Sequence, residues 1–382
     1  MQLNNHQYQI QSIPVIDIAQ QFGTPLYVYD ADKITEKINQ LRGVFPAIDL
    51  KIKFACKALT NISILKLMRL NGVEIDVVSP QELQLALHAG YEGKQVTFTP
   101  SGVSFDEIET AVAAGVMVNL DNLVVLEKFG QQYGNSKPCM IRIKPNVAAG
   151  GNAKIMTAHE GSKFGIDIRQ KADILRIVKK YNINVVGLHQ HTGSDIKEAD
   201  AFVRAADVIF GFAADFPNLQ IIDLGGGFKV AYKEGDATTD MQNLGKQLSE
   251  AFLGLSQKMG RKLQLWFEPG KFLVSEAGIL LVNANVVKVS PNRTFVGCKL
   301  RAESLDQTHD VKCLSSYCEC PAPETTQTQT YDVVGYICET DTFAKDRVLN
   351  EVRENDTLAL LNAGAYGFTM SSTTIAVFAP PK

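Results

Sequence analysis

Residues 50–91 read LKIKFACKALTNISILKLMRLNGVEIDVVSPQELQLALHAGY, and two periods alternate within them. IKFAC (52–56) and EIDVV (74–78) are short apolar runs of strand length. The stretches that follow, ISILKLMRLNG and PQELQLALHAGY, repeat apolar residues three and four apart, as one face of a helix requires. Strand, helix, strand, helix is the signature of parallel strands joined by crossover helices. The same alternation continues downstream, with strand-like runs at 96–99 (VTFT), 117–120 (MVNL), 139–143 (CMIRI), 185–189 (VVGLH), 219–224 (LQIIDL) and 264–268 (QLWFE). Helical patterns such as DEIETAVAAG lie between most of them. That one opens with Ser104 and has Glu107 three residues later, a capping box.

Eight strands, seven with a helical pattern after them, predict an α/β fold, a (β/α)8 TIM-type barrel. After Gly270 the pattern changes. KFLVSEAGILLVNANVVKVS, YDVVGYICET and DTLALLNAG alternate with period two and predict an all-β C-terminal domain, which PLYVYD (25–30) is expected to join. The expected division is a barrel over 31–275 and a β-rich domain from 1–30 and 276–382. The segment 147–167, with AAGGNAK and GSKFG, reads as a long functional loop.

Composition sets outer bounds. A chain of 382 residues with 45% hydrophobic and 21% charged residues can bury a large core and form two domains. With a net charge of −3 and no basic stripe, it lacks the means to neutralise nucleic-acid phosphates. No apolar run reaches the roughly 18–20 residues that span a bilayer. MQLNNHQYQIQSIP lacks the basic-then-apolar pattern of a signal peptide, so a cytoplasmic protein is expected. Seven cysteines, an odd count without framework spacing, fit reduced thiols.

Five motifs follow in order. Lys57 (KFACKA) follows the first strand, His191 (HQHTGSD) the sixth and Gly225-Gly226-Gly227 (DLGGGF) the seventh, while Glu268 (FEPGK) closes the eighth. Cys338-Glu339 (CETDTFAKD) lies in the β-rich part. Barrel active sites are built at the C-terminal ends of the strands, where four of these five fall. Burial beside an apolar strand would favour the neutral form of Lys57, the form that condenses with an aldehyde; a lysine turned to solvent is the plain alternative. His191 can stack its flat ring on a pyridine or pair with His189 as metal ligands, although no third ligand with suitable spacing is evident. The glycine triplet lets backbone approach an anion at a strand-to-helix turn, or simply makes a tight turn. Glu268 opposite a pyridine nitrogen would keep it protonated, and otherwise makes a structural ion pair. Acidic neighbours favour the thiol form of Cys338 and suit it to proton donation, against the alternative of a buried structural cysteine. Together these groups suit pyridoxal 5'-phosphate, and with it a reaction at an amino-acid α-carbon.

On these motifs the chain resembles the fold-type III pyridoxal-phosphate decarboxylases, most of all their diaminopimelate-decarboxylating branch, from PLYVYD (25–30) to NAGAYGFTMSS (362–372). The resemblance implies an alanine-racemase-like barrel in which Lys57 carries the cofactor, His191 stacks on its ring and Glu268 meets its nitrogen. Ser194, Gly227, Gly270 and Tyr366 would surround the phosphate, with Gly225 and Gly226 in the same turn. Lys271, Glu339 and Tyr366 would bind the amino-acid substrate. Cys338 and Glu339 would reach the site of a second copy, so a homodimer is implied. The implied reaction takes carbon dioxide from meso-diaminopimelate to give L-lysine, the last step of lysine biosynthesis. A same-fold decarboxylase for ornithine or a siderophore precursor is the alternative. Lys271 stands where the family usually has arginine after Glu-Pro-Gly, a cation without the bidentate fork.

One stretch interrupts the resemblance. CKLRAESLDQTHDVKCLSSYCECP (298–321) carries Cys298, Cys313, Cys318 and Cys320 at a spacing that makes a poor zinc pattern. Its synonymous codons, read one base out of frame, give VNSGLNHLIRPMMSNAYHHIVNV. That frame restores a glycine turn, an Arg-Pro pair and a tyrosine that grip the substrate in the family. The tail SSTTIAVFAPPK (371–382) recodes in the same way. A frame shift is therefore expected at both places, and with it an impaired substrate site; divergence toward another substrate is the alternative.

Overall fold

The computed structural model describes residues 1–4, 7–146, 162–232, 235–298, 310–314, 328–335 and 341–370. The chain divides into two compact units. One comprises Lys37–Val230 and Ala237–Phe272; the other comprises Met1–Glu36, Ala231–Asp236 and Leu273–Lys382.

The first unit is a closed parallel barrel. Its strands are β1 (Leu50–Ala55), β2 (Glu74–Val77), β3 (Val96–Phe98), β4 (Met117–Leu120), β5 (Pro138–Lys144), β6 (Asn184–His189), β7 (Ile221–Asp223) and β8 (Gln264–Phe267). Each pairs in parallel with the next, and β8 pairs with β1 through Leu265↔Leu50, Trp266↔Lys51 and Phe267↔Ile52. All eight predicted runs are strands of this barrel. Cys56 is the exception at one edge, since it opens a 3-10 turn, Cys56–Ala58, just past β1. Helices begin where the sequence supplies an acceptor for their first free N–H groups. Asn61, Ser79 and Asn122 cap Ile62–Leu70, Pro80–His88 and Leu123–Tyr133 with their side chains. Ser104 and Glu107 form the predicted capping box.

Three expectations need correction. The glycine triplet does not open a helix, because the next one, Met241–Lys258, starts well downstream at the cap Asp240. Of the expected loop 147–167, residues 147–161 lie outside the described residues, while Ile166–Asp167 is a short strand parallel to β5. Residues 231–236 group with the β-rich unit although they sit within the barrel sequence.

The second unit holds a seven-stranded sheet. Its long strand β9 (Gly278–Ser290) pairs antiparallel with the strand Leu26–Tyr29, with β10 (Arg293–Cys298) and with β14 (Thr357–Leu360). β14 also pairs with β11 (Val311–Cys313), and β10 continues through β12 (Thr328–Val334) to β13 (Thr342–Asn350). Cys298 and Cys313 are buried in its core beside Tyr27, Val296 and Phe343. Of the atypical stretch 298–321, only Cys298 and Asp310–Leu314 are described. The N-terminal segment is not all β, because Val15–Phe22 is a helix. Among the described residues, no helix is long and apolar enough to cross a membrane.

Candidate active site

Inward-facing positions alternate along a strand. In the barrel they place Asp76, Arg142, His189, Asp223 and Glu268 toward the C-terminal ends of β2, β5, β6, β7 and β8, all of them buried or nearly so. The strand-end loops are tied together above them. The Ala55 N–H donates to the Pro269 carbonyl (3.2 Å), the Glu268 N–H to the Gly225 carbonyl (2.7 Å) and the Ile196 N–H to the Gly227 carbonyl (3.0 Å). Gly226 donates its N–H to His191 Nδ1 at 3.2 Å, which fixes the ring against the turn after β7.

The glycine triplet is required for a reason the sequence did not show. A Cβ on Gly225 would lie 2.7 Å from His191 Nδ1, one on Gly226 2.5 Å from the Glu268 carbonyl oxygen, and one on Gly227 2.3 Å from the Gly193 carbonyl oxygen. Three loops therefore close on one another through positions that accept no side chain. Two of the triplet's N–H groups are also engaged within the protein, Gly225 to Asp223 Oδ1 at 2.9 Å and Gly226 to His191. The expected cradle of free N–H groups is thus smaller than the motif suggests.

Lys57 follows β1 and is exposed, which corrects the expectation of a desolvated strand-end amine. Its charge nevertheless acts on Asp76, Glu82, His189, His191 and Glu268, which places it over the same rim. His189 and His191 do not converge as a metal pair. His189 Nε2 meets Glu268 Oε2 at 3.1 Å, whereas His191 faces the glycine turn. The groups that do converge are His189, Asp223 and Glu268, whose polar atoms lie within 4.8 Å of one another.

The electrostatics divide the carboxylates. Burial, and then the charge of Glu268, push Asp76 and Asp223 well above the usual carboxylate range. Burial opposes ionisation of Glu268 too, but His189, Lys57 and Arg142 outweigh it and hold that carboxyl below its ordinary range. Burial drives His189 toward its neutral form, with Arg142 and Lys57 adding to the effect against Glu268. The imidazole therefore acts on Glu268 as a hydrogen-bond donor rather than as a cation. Burial, with Lys57 and Arg142, also keeps the partly exposed His191 neutral.

These residues fit pyridoxal phosphate. An amine is open to approach, a carboxylate is held ionised in an apolar barrel, and a neutral flat ring is fixed beside the glycine turn. Buried polar atoms of Asp76, Thr97, Asn119, Gln190, Thr192 and Asp223 have no hydrogen-bond partner among the described residues, as expected where a polar ligand completes the site. Ser194 lies in the loop after β6, between Gly193 and Asp195. Gly270 sits in the turn after β8, directly before Lys271, which forms an ion pair with Asp195 at 2.7 Å. Tyr366 belongs to the β-rich unit and has a left-handed backbone, φ +64°. Cys338 and Glu339 lie outside the described residues. Sequence reasoning missed Asp76, Arg142 and Asp223, and weighed His189 only as a metal ligand, although each is a polar residue inside or ending an otherwise apolar strand.

Residues 31–275 match a family described as pyridoxal-dependent decarboxylase, pyridoxal binding domain. The chain is 31% identical to the diaminopimelate decarboxylase of Methanothermobacter thermautotrophicus, over 94% of this chain and 85% of that one. It is 32% identical to the diaminopimelate decarboxylase of Neisseria meningitidis serogroup B, over 95% and 88%. The crystal structure of Helicobacter pylori diaminopimelate decarboxylase complexed with L-lysine superposes with a TM-score of 0.84 at 28% identity, covering 94% of this chain and 91% of that one.

Proposed function

The chain belongs to the pyridoxal-dependent decarboxylases, with diaminopimelate decarboxylases as its relatives, and from that membership we propose that it converts meso-2,6-diaminopimelate to L-lysine and carbon dioxide. The observation that carries the reading is the gathering of Lys57, His191 and Glu268 around one barrel rim. L-lysine in the complex of the Helicobacter pylori relative supports the product.

Bound pyridoxal phosphate supplies an aldehyde for amines and a protonated ring that accepts the electron pair left when carbon dioxide departs. Lys57 would hold the cofactor through its amine. Glu268, kept ionised by its neighbours, would hold a proton at the pyridine nitrogen. His191, fixed by the Gly226 N–H, would support the ring. Ser194, Gly227, Gly270 and Tyr366 are the proposed phosphate contacts, supported by the motifs that carry them. Lys271 is the proposed cation for a substrate carboxylate, and it must share itself with Asp195. The proton returned to the α-carbon is assigned to Cys338 of a second copy, with Glu339 beside it, so the working form is a homodimer.

The test is to incubate the purified chain with pyridoxal phosphate and meso-diaminopimelate, then with ornithine, and to measure lysine, putrescine and carbon dioxide. Lysine from diaminopimelate supports the reading, and turnover of ornithine alone sinks it. A second reading rests on the atypical stretch 298–321, which lacks the Arg-Pro and tyrosine of the restored frame. Losing one charge-assisted contact to a carboxylate costs roughly 1.5–3 kcal/mol, about one to two decades in rate or affinity. Cofactor retained without lysine formed, and lysine regained on restoring that frame, would favour this second reading.

A further inference from the structure

Glu268 has two oxygens, and the barrel treats them differently. Oε2 lies 3.1 Å from His189 Nε2, a direct hydrogen bond, whereas Oε1 makes a long contact of 3.5 Å with Thr99 Oγ1. His189 itself is fully buried. Its other ring nitrogen, Nδ1, meets no hydrogen-bond partner among the described residues. A buried imidazolium needs an acceptor at both nitrogens, and this ring has one at Nε2 only. The tautomer with its proton on Nε2 is therefore the one the site accommodates, and that proton points at the carboxylate. The titratable groups that face this pair, Lys57, Asp76, Arg142 and Asp223, come from β2, β5, β7 and the turn after β1.

We propose that His189 is the positioning residue for Glu268: as a neutral ring it anchors Oε2 and leaves Oε1 as the oxygen available to a ring nitrogen. This rests on the reading of Glu268 as the partner of the cofactor's pyridine nitrogen. Without the anchor the carboxylate is free to rotate, and its hold on a proton at the ring nitrogen weakens. His189 touches neither substrate nor cofactor in this account and acts only through Glu268.

The test compares binding of two probes to the full chain freed of cofactor: pyridoxal phosphate, and its deaza analogue with carbon in place of the ring nitrogen. The native chain is expected to prefer pyridoxal phosphate. In His189→Asn, whose amide is too short to reach Oε2, that preference should fall by about ten- to a hundredfold, the scale of one charge-assisted hydrogen bond. His189→Gln restores a donor at the Nε2 position and should keep the preference within about threefold of native, by the same scale. A merely structural role weakens both probes equally and leaves the ratio unchanged, which overturns the proposal. Glu268→Gln is the control that separates the two claims. If it keeps the preference, the reading of Glu268 fails and the inference falls with it. If it loses the preference while His189→Asn retains it, only the inference falls. One equivalent of zinc held by native protein and lost from His189→Asn would identify a metal site at His189, Asp223 and Glu268, and would also overturn it. Circular dichroism and thermal melting check that each variant is folded; if His189→Asn does not fold, loss of the preference in soluble His189→Gln overturns the proposal.

Discussion

The barrel interior carries charge at two levels, and the two are handled in opposite ways. A layer below the rim, Lys53 is 1% exposed, pairs with Glu74 Oε2 at 2.8 Å and lies over the Trp266 ring at 4.0 Å. Glu74 takes a second lysine, Lys51, at 2.7 Å. One pleat higher on the same β2 strand stands Asp76, with an oxygen that has no partner among the described residues. Burial would raise the Glu74 carboxyl, but Lys53 and Lys51 overcome that and lower it; Asp76 is pushed well above its usual range. β1 repeats the contrast, since Lys53 is sealed and Lys57, four residues on, is open. A charge with its partners complete is architecture. A buried polar group with a partner missing marks the level where a ligand belongs.

The largest expected effect breaks the upper level. Lys57→Ala should lower lysine formation on the order of 10^4-fold or more, while the cofactor-free protein melts as before, because an exposed side chain contributes little packing. Residual turnover within tenfold of native would remove Lys57 from its role.

At the lower level the loss should be of stability. Glu74→Leu leaves Lys53 buried without its carboxylate, at a cost of about 3–5 kcal/mol, read by chemical denaturation. Glu74 has a lowered folded-state pKa, so its contribution is present above the unfolded carboxylate pKa and is lost as pH falls through the folded one. The acid limb of the stability curve should accordingly flatten in Glu74→Gln.

Gly225→Ala sharpens the comparison, because it strains the rim without touching a charge. Its Cβ would press on His191 at a backbone φ of +69°, a strain of about 1–3 kcal/mol, with weaker cofactor retention than in the native chain. Unchanged retention would mean that His191 need not be held by the turn. The smallest effect is expected at Asp195→Asn. The pair with Lys271 is partly exposed, so stability should change by about 1 kcal/mol or less, while KM for diaminopimelate falls as Lys271 is released. A rise in KM would show that Asp195 helps to bind the substrate.

The barrel was legible because parallel strands buried on both faces read as apolar runs, and the helices between them carry their own caps. MVNL was placed to the residue, and the others within a residue or two at each end. The rim was legible only in part. Lys57, His191 and Glu268 stand in motifs, but Asp76 in EIDVV, Arg142 in CMIRI and Asp223 in LQIIDL sit inside runs that were scored for apolarity. One polar residue near the end of each such strand was the available signal, since an inward position on a closed barrel must put it near the mouth. The glycine triplet misled for a different reason. Sequence shows that a side chain is absent, while the three facing backbones that exclude it come from loops far apart in the chain.

Lys53 over Trp266, with Met140, Val186 and Ile221 packed beside the indole, fills the barrel beneath the rim. The interior is thus a cul-de-sac. Whatever enters at the rim leaves by the rim, and an occupant must clear it before the next can come in. Traffic in and out of the barrel shares a single doorway, so a product that lingers there should compete directly with the incoming substrate.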